Sequence, residues 1–522
     1  MQRALEALRI IGCTLLGALF LRGIHHLGQT YFHGFPVEYG FSVNLFGPLE
    51  GIFLFLYALL GGAAVLFFSM ALRDHLPGWV EKLRRVEVNP TLLVALISAL
   101  VLMAAVWIRF NVLHEAPMTD DEHAFTFGAQ ILETGQLSLP GYRHELRPFL
   151  ANQFVMMGDS IYTQYFPGFM ALLALAMKLG VPWLLNPLMG ALGVVGTFLL
   201  GRELSGSKWI GVGAGFMLLL SPTYLFTSAM LFSHPVALTF TVFGLWMLTR
   251  ARASGSWSHA GIGAMLLGVA LFTRPLTTMV LSLVGAAMLL SGPISDRKKL
   301  QCLGTAALVG LVFVAGLAAY NGALTGDPFR SGYDVNREVN GVERFKFTFE
   351  QFTSGEFLEL LVFPFIRYNF WLLGWPCSLF LLFFVPPGEL RRFALAGVIG
   401  VWLAHLPWTA VGVNLTGAVH YYEALPLLAI LCAAGWAALL ERKKSAENGM
   451  LNAVVFSSIF VSLVLFYPWA AGNLGQLAER NNGPYVATEN IQKPAIIFTG
   501  KTLLDNELRL HRFTTWTFFR RN

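Results

Sequence analysis

The sequence predicts an all-α polytopic membrane protein with about thirteen transmembrane helices. Three observations predict it. Of 522 residues, 55% are hydrophobic and only 13% charged, with a mean hydropathy of +0.60, whereas an ordinary soluble domain is roughly 25% charged. That leaves too little polar surface to solvate a compact globule of this length. The apolar residues also gather into runs near the ~20 residues a helix needs to cross a ~30 Å hydrocarbon core. Finally, Lys and Arg recur in short loops between alternate runs, the bias that places such loops in the cytoplasm. The net charge of +6 comes without a dense basic block, so nucleic acid binding is not expected. Cys13, Cys302, Cys377 and Cys432 lie in apolar runs without C-x-x-C spacing, and no disulfide framework or thiolate zinc site follows from them.

Candidate spans fall near 4–22, 46–72, 91–109, 183–201, 209–229, 235–250, 301–320, 366–385, 393–411, 423–440 and 451–470. The first lacks a small-residue cleavage site and is read as a span rather than a signal peptide. Residues 260–291 would measure ~48 Å as one helix. Arg274-Pro275 divides this run, and proline disfavours helix through the residue before it, so two short helices meeting at a recessed turn are expected. Cytoplasmic placement of Arg73, Lys82, Arg84 and Arg85, of Arg202 and Lys208, of Arg250 and Arg252, of Arg297 to Lys299, of Arg391 and Arg392, and of Arg442 to Lys444 gives one consistent topology, with the N-terminus inside and the C-terminus outside. Phe166–Gly180 must then begin and end outside, as an interfacial or re-entrant helix. Long outer segments are expected at 110–182 and 321–365, with a polar extracytoplasmic tail at 471–522. The expected organisation is two additional N-terminal spans (1–90), a catalytic transmembrane module (91–440), a last span (441–470) and that tail. The cytoplasmic loops carry orientation charges alone, so chemistry is expected on the outer face.

The first outer segment opens with Pro117-Met118-Thr119-Asp120-Asp121-Glu122-His123, followed by a helical pattern in which Phe125, Ala129 and Leu132 share a face. Thr119 and Glu122 have capping-box spacing, and acids at a helix start complement its dipole. The competing reading makes Asp120 or Asp121 a general base, since a carboxylate at the membrane surface can accept a proton from an incoming hydroxyl. His144, Arg147 and Asp159 follow, and then Tyr162-Thr163-Gln164-Tyr165-Phe166-Pro167-Gly168 leads into the apolar helix.

An Asp-Glu pair after a span, then LETGQLSLP (132–140) and YTQYFPGF (162–169), resembles the GT-C superfamily of integral membrane glycosyltransferases. The likeness is to its protein O-mannosyltransferase and aminoarabinose-transferase-like branch. Further pieces follow in order: SAMLFSHP (228–235), FTRPL (272–276), NGALTGDPFRSGY (321–333) and HYYEALP (420–426). The resemblance spans roughly 90–440. It implies an inverting transferase that moves a sugar from a polyprenyl-phosphate donor to a lipid, glycan or protein hydroxyl. It also implies that Asp121, with Glu122 and Asp120 beside it, is the catalytic or metal-associated acid. Donor phosphate would be held by Arg274, helped by Arg330 or His420, and Tyr165, Pro167, His234, Tyr333 and Tyr421 are the candidate substrate contacts. The sequence departs from the family's pattern in three places: Phe166-Pro167 stands for a proline pair, His420 for an arginine, and His234 for a residue that is often acidic.

Each candidate has a plainer reading beside it. Arg274 lies within an apolar run, where a charge costs several kcal/mol unless paired or hydrated; it is either structurally paired or a phosphate ligand, for which its planar fork suits bidentate contact. His234 precedes a proline at a helix start and is either a packing residue or an orienting group. Asp327, Arg330, Asp334, Arg337, Glu338, Arg344 and Lys346 read as an ordinary solvated face beside Tyr333, which could stack on a sugar, and tyrosines such as Tyr421 commonly anchor helices at the interface. No cofactor is implied beyond an open place for a divalent metal, for which Asp121, Glu122 and His234 are the candidate ligands without diagnostic zinc spacing. The alternatives are a lipid-linked-saccharide flippase, which would show internal repeats and polar pairs at mid-membrane, or a polysaccharide polymerase or ligase.

Overall fold

A computed structural model describes residues 2–31, 54–76, 78, 82, 87–141, 152–340, 365–407, 415–441 and 446–488. In chain order its helices are α1 (Gln2–Tyr31), α2 (Leu54–Leu72), α3 (Pro90–Asn111) and α4 (Asp120–Glu133). Three short strands follow: β1 (Leu139–Pro140), β2 (Val155–Met157) and β3 (Ser160–Thr163). Then come α5 (Pro167–Lys178), α6 (Leu185–Ser205), α7 (Lys208–Leu219), α8 (Pro222–Ala229), α9 (His234–Ser254), α10 (Trp257–Leu271) and α11 (Pro275–Leu290). The series closes with α12 (Asp296–Thr325), α13 (Gly332–Asn340), α14 (Glu389–Ala404), α15 (Leu425–Glu441), α16 (Ala446–Val461) and α17 (Tyr467–Thr488).

The chain is an integral membrane protein. Among the described residues, seven helices are long and apolar enough to cross a bilayer, or eight if α7 and α8, bent by 63°, count as one span. The sequence leads one to expect about thirteen, and the difference has local causes. Between 366 and 385 no continuous helix forms. A helical turn ends at Trp371, Gly374 adopts a left-handed φ of 68°, Pro376 follows, and a 3-10 helix covers Ser378–Phe384; neither the left-handed residue nor the proline continues an α-helix. Helix α14 has only 16 residues, and α9 has adequate length but carries Thr239, Thr241, Thr249 and Arg250 along it. The expected break at Arg274-Pro275 is present, where α10 ends at Leu271 and α11 begins at Pro275.

Helix α15 runs through the middle of the bundle. Every residue from Leu425 to Gly435 is buried, as expected for a helix apolar on all sides. The two N-terminal helices pair with each other, Phe20 stacking on Phe67 at 5.6 Å and Arg9 bridging Asp74 at 2.5 Å. They lean on the C-terminal part of the chain through Phe68 against Phe460 and a 2.6 Å bond from the Tyr57 hydroxyl to the Gly374 carbonyl.

In the first long loop, α4 is followed by a three-stranded antiparallel sheet in the order β1-β3-β2, with Leu139 opposite Ile161 and Val155 opposite Thr163. Strands this short give no readable period, and none is expected from the sequence. Helix α5, with 12 residues, measures ~18 Å and is too short to span. Past residue 470 the chain stays helical: α16, a π-turn at Ser462–Phe466 and α17 form one rod, with Leu474, Leu477 and Ala478 buried. Its far end reaches the first loop, where Asn481 donates to the Pro117 carbonyl at 3.1 Å. His144, Arg147, Arg344 and Lys346 fall outside the described residues.

Contacts sort the helix ends into two sets. Arg252 at the end of α9 bridges Glu389 at the start of α14 at 2.6 Å, and Gly255 lies against Lys298. At the opposite end of the bundle lie the last turn of α3, the first turns of α9, α11 and α15, the end of α12 and the described residues of the first loop.

Candidate active site

Helix α4 starts as its sequence dictates. Thr119 is the N-cap, in extended conformation, and its hydroxyl accepts from the Glu122 amide at 3.4 Å. The reciprocal half of the capping box is displaced by one residue. Glu122 Oε2 accepts from the Met118 amide at 2.6 Å, and Oε1 accepts from the Leu231 amide at 2.7 Å. The buried Glu122 therefore ties the loop before α9 to the start of α4. Arg109, buried in the last turn of α3, donates to the Ala229 carbonyl at 3.1 Å and braces the same loop. Asp120 accepts from Gln153 Nε2 at 2.9 Å, fastening the segment before β2 to the helix start.

Burial pushes the Glu122 carboxyl up from 4.5 to about 7, and neighbouring Asp121 adds to the rise, while the two amide bonds and the Arg109 charge oppose it. The sign of the consequence is definite. Between those values the native state holds a proton that the unfolded chain has lost, so stability falls as pH rises from about 4.5 through about 7. Thermal midpoints in detergent are expected to drop across that window, by about 1–3 kcal/mol in stability, and the slope is expected to flatten in Glu122→Gln. An unchanged slope in that variant would reject the assignment.

Asp121 points the other way and is half-buried. The Tyr165 hydroxyl donates to its Oδ1. Tyr165 is itself immobilised: its ring packs on Phe125 at 4.1 Å and against Phe154 and Tyr333 at 5.8 Å, and the Tyr320 hydroxyl bonds its carbonyl at 3.0 Å. Two residues on, Pro167 opens α5 in the position where its missing N–H costs nothing. Gly168 then donates to the Phe272 carbonyl at 2.8 Å. A Cβ on Gly168 would lie 2.5 Å from the Thr273 hydroxyl and 2.8 Å from the Phe272 backbone. Only glycine lets the start of α5 seat against the turn that presents Arg274.

Arg274 caps α11 and faces a buried cluster. Its Nε lies 2.9 Å from Oε1 of Glu423, close enough for an ion pair though off the line of a hydrogen bond. Its Nη1 lies 3.3 Å from Nε2 of His234, whose Nδ1 is 3.2 Å from the same Glu423 oxygen. Since guanidinium only donates, Nε2 is the acceptor and Nδ1 carries the proton toward the carboxylate. Both ring nitrogens of His234 are thus engaged. The His420 ring lies 6.4 Å from His234 and 5.9 Å from His405, and Tyr421 packs on His405 at 5.0 Å. The next residue, Tyr422, stacks on Tyr224 and bonds Ser228 at 3.0 Å, locking the turn that carries Glu423.

Helix α13 packs on the segment around β2 and β3. Gly332 packs on the Gln164 backbone, Asn336 donates to the Gln153 carbonyl at 2.9 Å, and Tyr333 sits against Tyr165 and Phe166. Arg330 is paired with Glu338 on the exposed side of α13.

The structure thus joins Asp121, Tyr165, Pro167, Arg274, His234 and His420 through a short chain of contacts, with Tyr333 above and Tyr421 behind. Among the described residues, no three His, Cys, Asp or Glu side chains stand where they could hold a metal ion. Asp121, Glu122 and His234 point to different partners. Sequence reasoning did not single out Glu423, His405 or Tyr320. Glu423 had a readable signal, a carboxylate within HYYEALP just before an apolar helix, the acid counterpart of Arg274 before α11.

No protein-family model and no curated protein sequence matches the chain. Solved structures do resemble it. ArnT from Cupriavidus metallidurans bound to undecaprenyl phosphate is 13% identical over 75% of this chain and 80% of its own, with a TM-score of 0.48. The archaeal oligosaccharyltransferase AglB from Archaeoglobus fulgidus, in complex with an inhibitory peptide and a dolichol-phosphate, is 13% identical over 73% of this chain and 55% of its own, with a TM-score of 0.38. Arabinosyltransferase EmbB from Mycobacterium smegmatis is 16% identical over 84% of this chain and 47% of its own, with a TM-score of 0.37. The chain thus spans about half the length of the latter two, and identities this low transfer no residue role.

Proposed function

We propose that the chain is an inverting GT-C-type glycosyltransferase that moves a sugar from a polyprenyl-phosphate donor to a hydroxyl acceptor at the outer membrane face. The observation that carries this reading is the short connection, Tyr165 to Gly168, between a half-buried carboxylate and a cation set among helix starts. Asp121 accepts the proton of the acceptor hydroxyl. The freed oxygen attacks the anomeric carbon, and the bond to the phosphate oxygen breaks on the opposite side, its electron pair staying on the departing polyprenyl phosphate. Arg274 and the positive ends of α9, α11 and α15 stabilise that charge. A single displacement inverts the anomeric configuration. Placement of the basic loops in the cytoplasm puts this end of the bundle outside, where a lipid-phosphate donor replaces a nucleotide sugar. The sequence carries no obvious internal repeat and no polar pairs at equivalent positions along it, which favours transfer over alternating-access transport.

The test is incubation of purified protein with a panel of polyprenyl-phosphate sugars and hydroxyl acceptors, scoring released polyprenyl phosphate and labelled product. Turnover of at least one donor, with inversion, is expected. Failure across pentosyl and hexosyl donors, with movement of the intact lipid between leaflets, would replace transferase with flippase.

A further inference from the structure

Three proline-marked helix starts bring their positive ends to the Arg274 turn: His234-Pro235 in α9, Arg274-Pro275 at α11 and Leu425-Pro426 in α15. Arg274 adds a full charge. The carboxylate that answers them is Glu423, whose side chain has no solvent exposure. Its Oε1 is shared between Arg274 and His234, and its Oε2 is buried without a hydrogen bond of good geometry among the described residues. Glu423 stands on the Nε side of Arg274, while 19% of the arginine side chain stays open. An arriving phosphate therefore meets a cation already partly compensated from behind.

That arrangement matters because the two phosphates differ in charge. A sugar-linked prenyl phosphate is a diester with one negative charge, whereas the prenyl phosphate left after transfer is a monoester that takes a second. A site positive enough to bind the donor holds the product more tightly still, and release then limits turnover. We infer that Glu423 is a positioning residue whose negative charge limits the hold of Arg274 on the departing prenyl phosphate, so that product leaves. The inference rests on the reading of Arg274 as the phosphate ligand.

The test measures the affinity of farnesyl phosphate and of inorganic phosphate, together with kcat and donor KM, in the wild type and in Glu423→Gln, Glu423→Asp and Arg274→Gln. Glu423→Gln is expected to bind both phosphates about tenfold more tightly, with kcat and KM falling together. A merely structural role would weaken binding, which is the opposite sign. Should Glu423→Gln fail to fold, Glu423→Asp decides, since its shorter arm draws the carboxylate back and should tighten binding about two- to threefold by the same logic. Unchanged or weaker binding in the folded Glu423 variants overturns the inference, as does a change confined to farnesyl phosphate. Equal binding by the wild type and Arg274→Gln overturns the phosphate reading itself, and the two failures are thereby told apart.

Discussion

Replacing Asp121 by Asn is expected to abolish sugar transfer while leaving insertion and folding intact. The amide oxygen of Asn can still accept the Tyr165 hydroxyl that Oδ1 accepts now, and the residue is half-buried at a helix start whose cap, Thr119, is untouched. Folding therefore loses little. Chemistry loses the proton acceptor, and a positioned general base contributes about 10²–10⁴-fold. The measurements are kcat in the donor assay and the thermal midpoint of the purified variant. Full activity in Asp121→Asn would remove the residue from the mechanism, and a collapsed midpoint would recast it as structural.

The second large effect belongs to Arg274, and there stability and activity move together. Removing the guanidinium leaves the Glu423 carboxylate, now 2.9 Å from Arg274 Nε, as a buried charge without its cationic partner. Breaking one side of a buried pair costs about 3–5 kcal/mol. Arg274→Gln is thus expected to lower the thermal midpoint and to cut donor turnover about 100-fold or more, the scale of losing a preorganised donor to developing charge. The double variant Arg274→Gln with Glu423→Gln separates the two losses. It removes both charges, so stability should return while transfer does not. Recovery of transfer in the double variant would make Arg274 a purely structural partner of Glu423.

Much of this site is written locally. The acids at 120–122 follow a Thr cap, the Arg-Pro break interrupts an apolar run too long for one span, and a dipeptide ending in proline marks the start of α5, α9 and α11. Each is a short-range rule of backbone sterics or capping, so each is visible in a few consecutive residues. The 366–385 run shows the limit of that reading. Its composition is that of a span, yet Gly374 and Pro376 turn the chain, and the Gly374 carbonyl is held by Tyr57. The polar segment after residue 470 errs the other way, since it continues a helix whose buried face was too sparse to outweigh its polarity.

Within the acid cluster, sequence could not tell three neighbouring carboxylates apart. Successive residues of a helix point about 100° apart, so Asp120 turns to Gln153, Asp121 to Tyr165 and Glu122 into the core toward Leu231. Which direction meets protein and which meets open space depends on segments some 30 to 110 residues away. The same holds for Arg274, whose partner lies on a helix start 149 positions along. The sequence by itself determined that this chain lies in a bilayer, that its orienting charges gather in short loops, and that an acid cap and a buried arginine stand apart from them. Composition and short-range sterics suffice for that. Only the tertiary structure decided that Tyr165 and Gly168 link Asp121 to the Arg274 turn, that Glu122 is a brace, and that Glu423 is the counter-charge. Those outcomes depend on which distant backbones pack within a few ångströms, a property of the folded chain and not of any window along it.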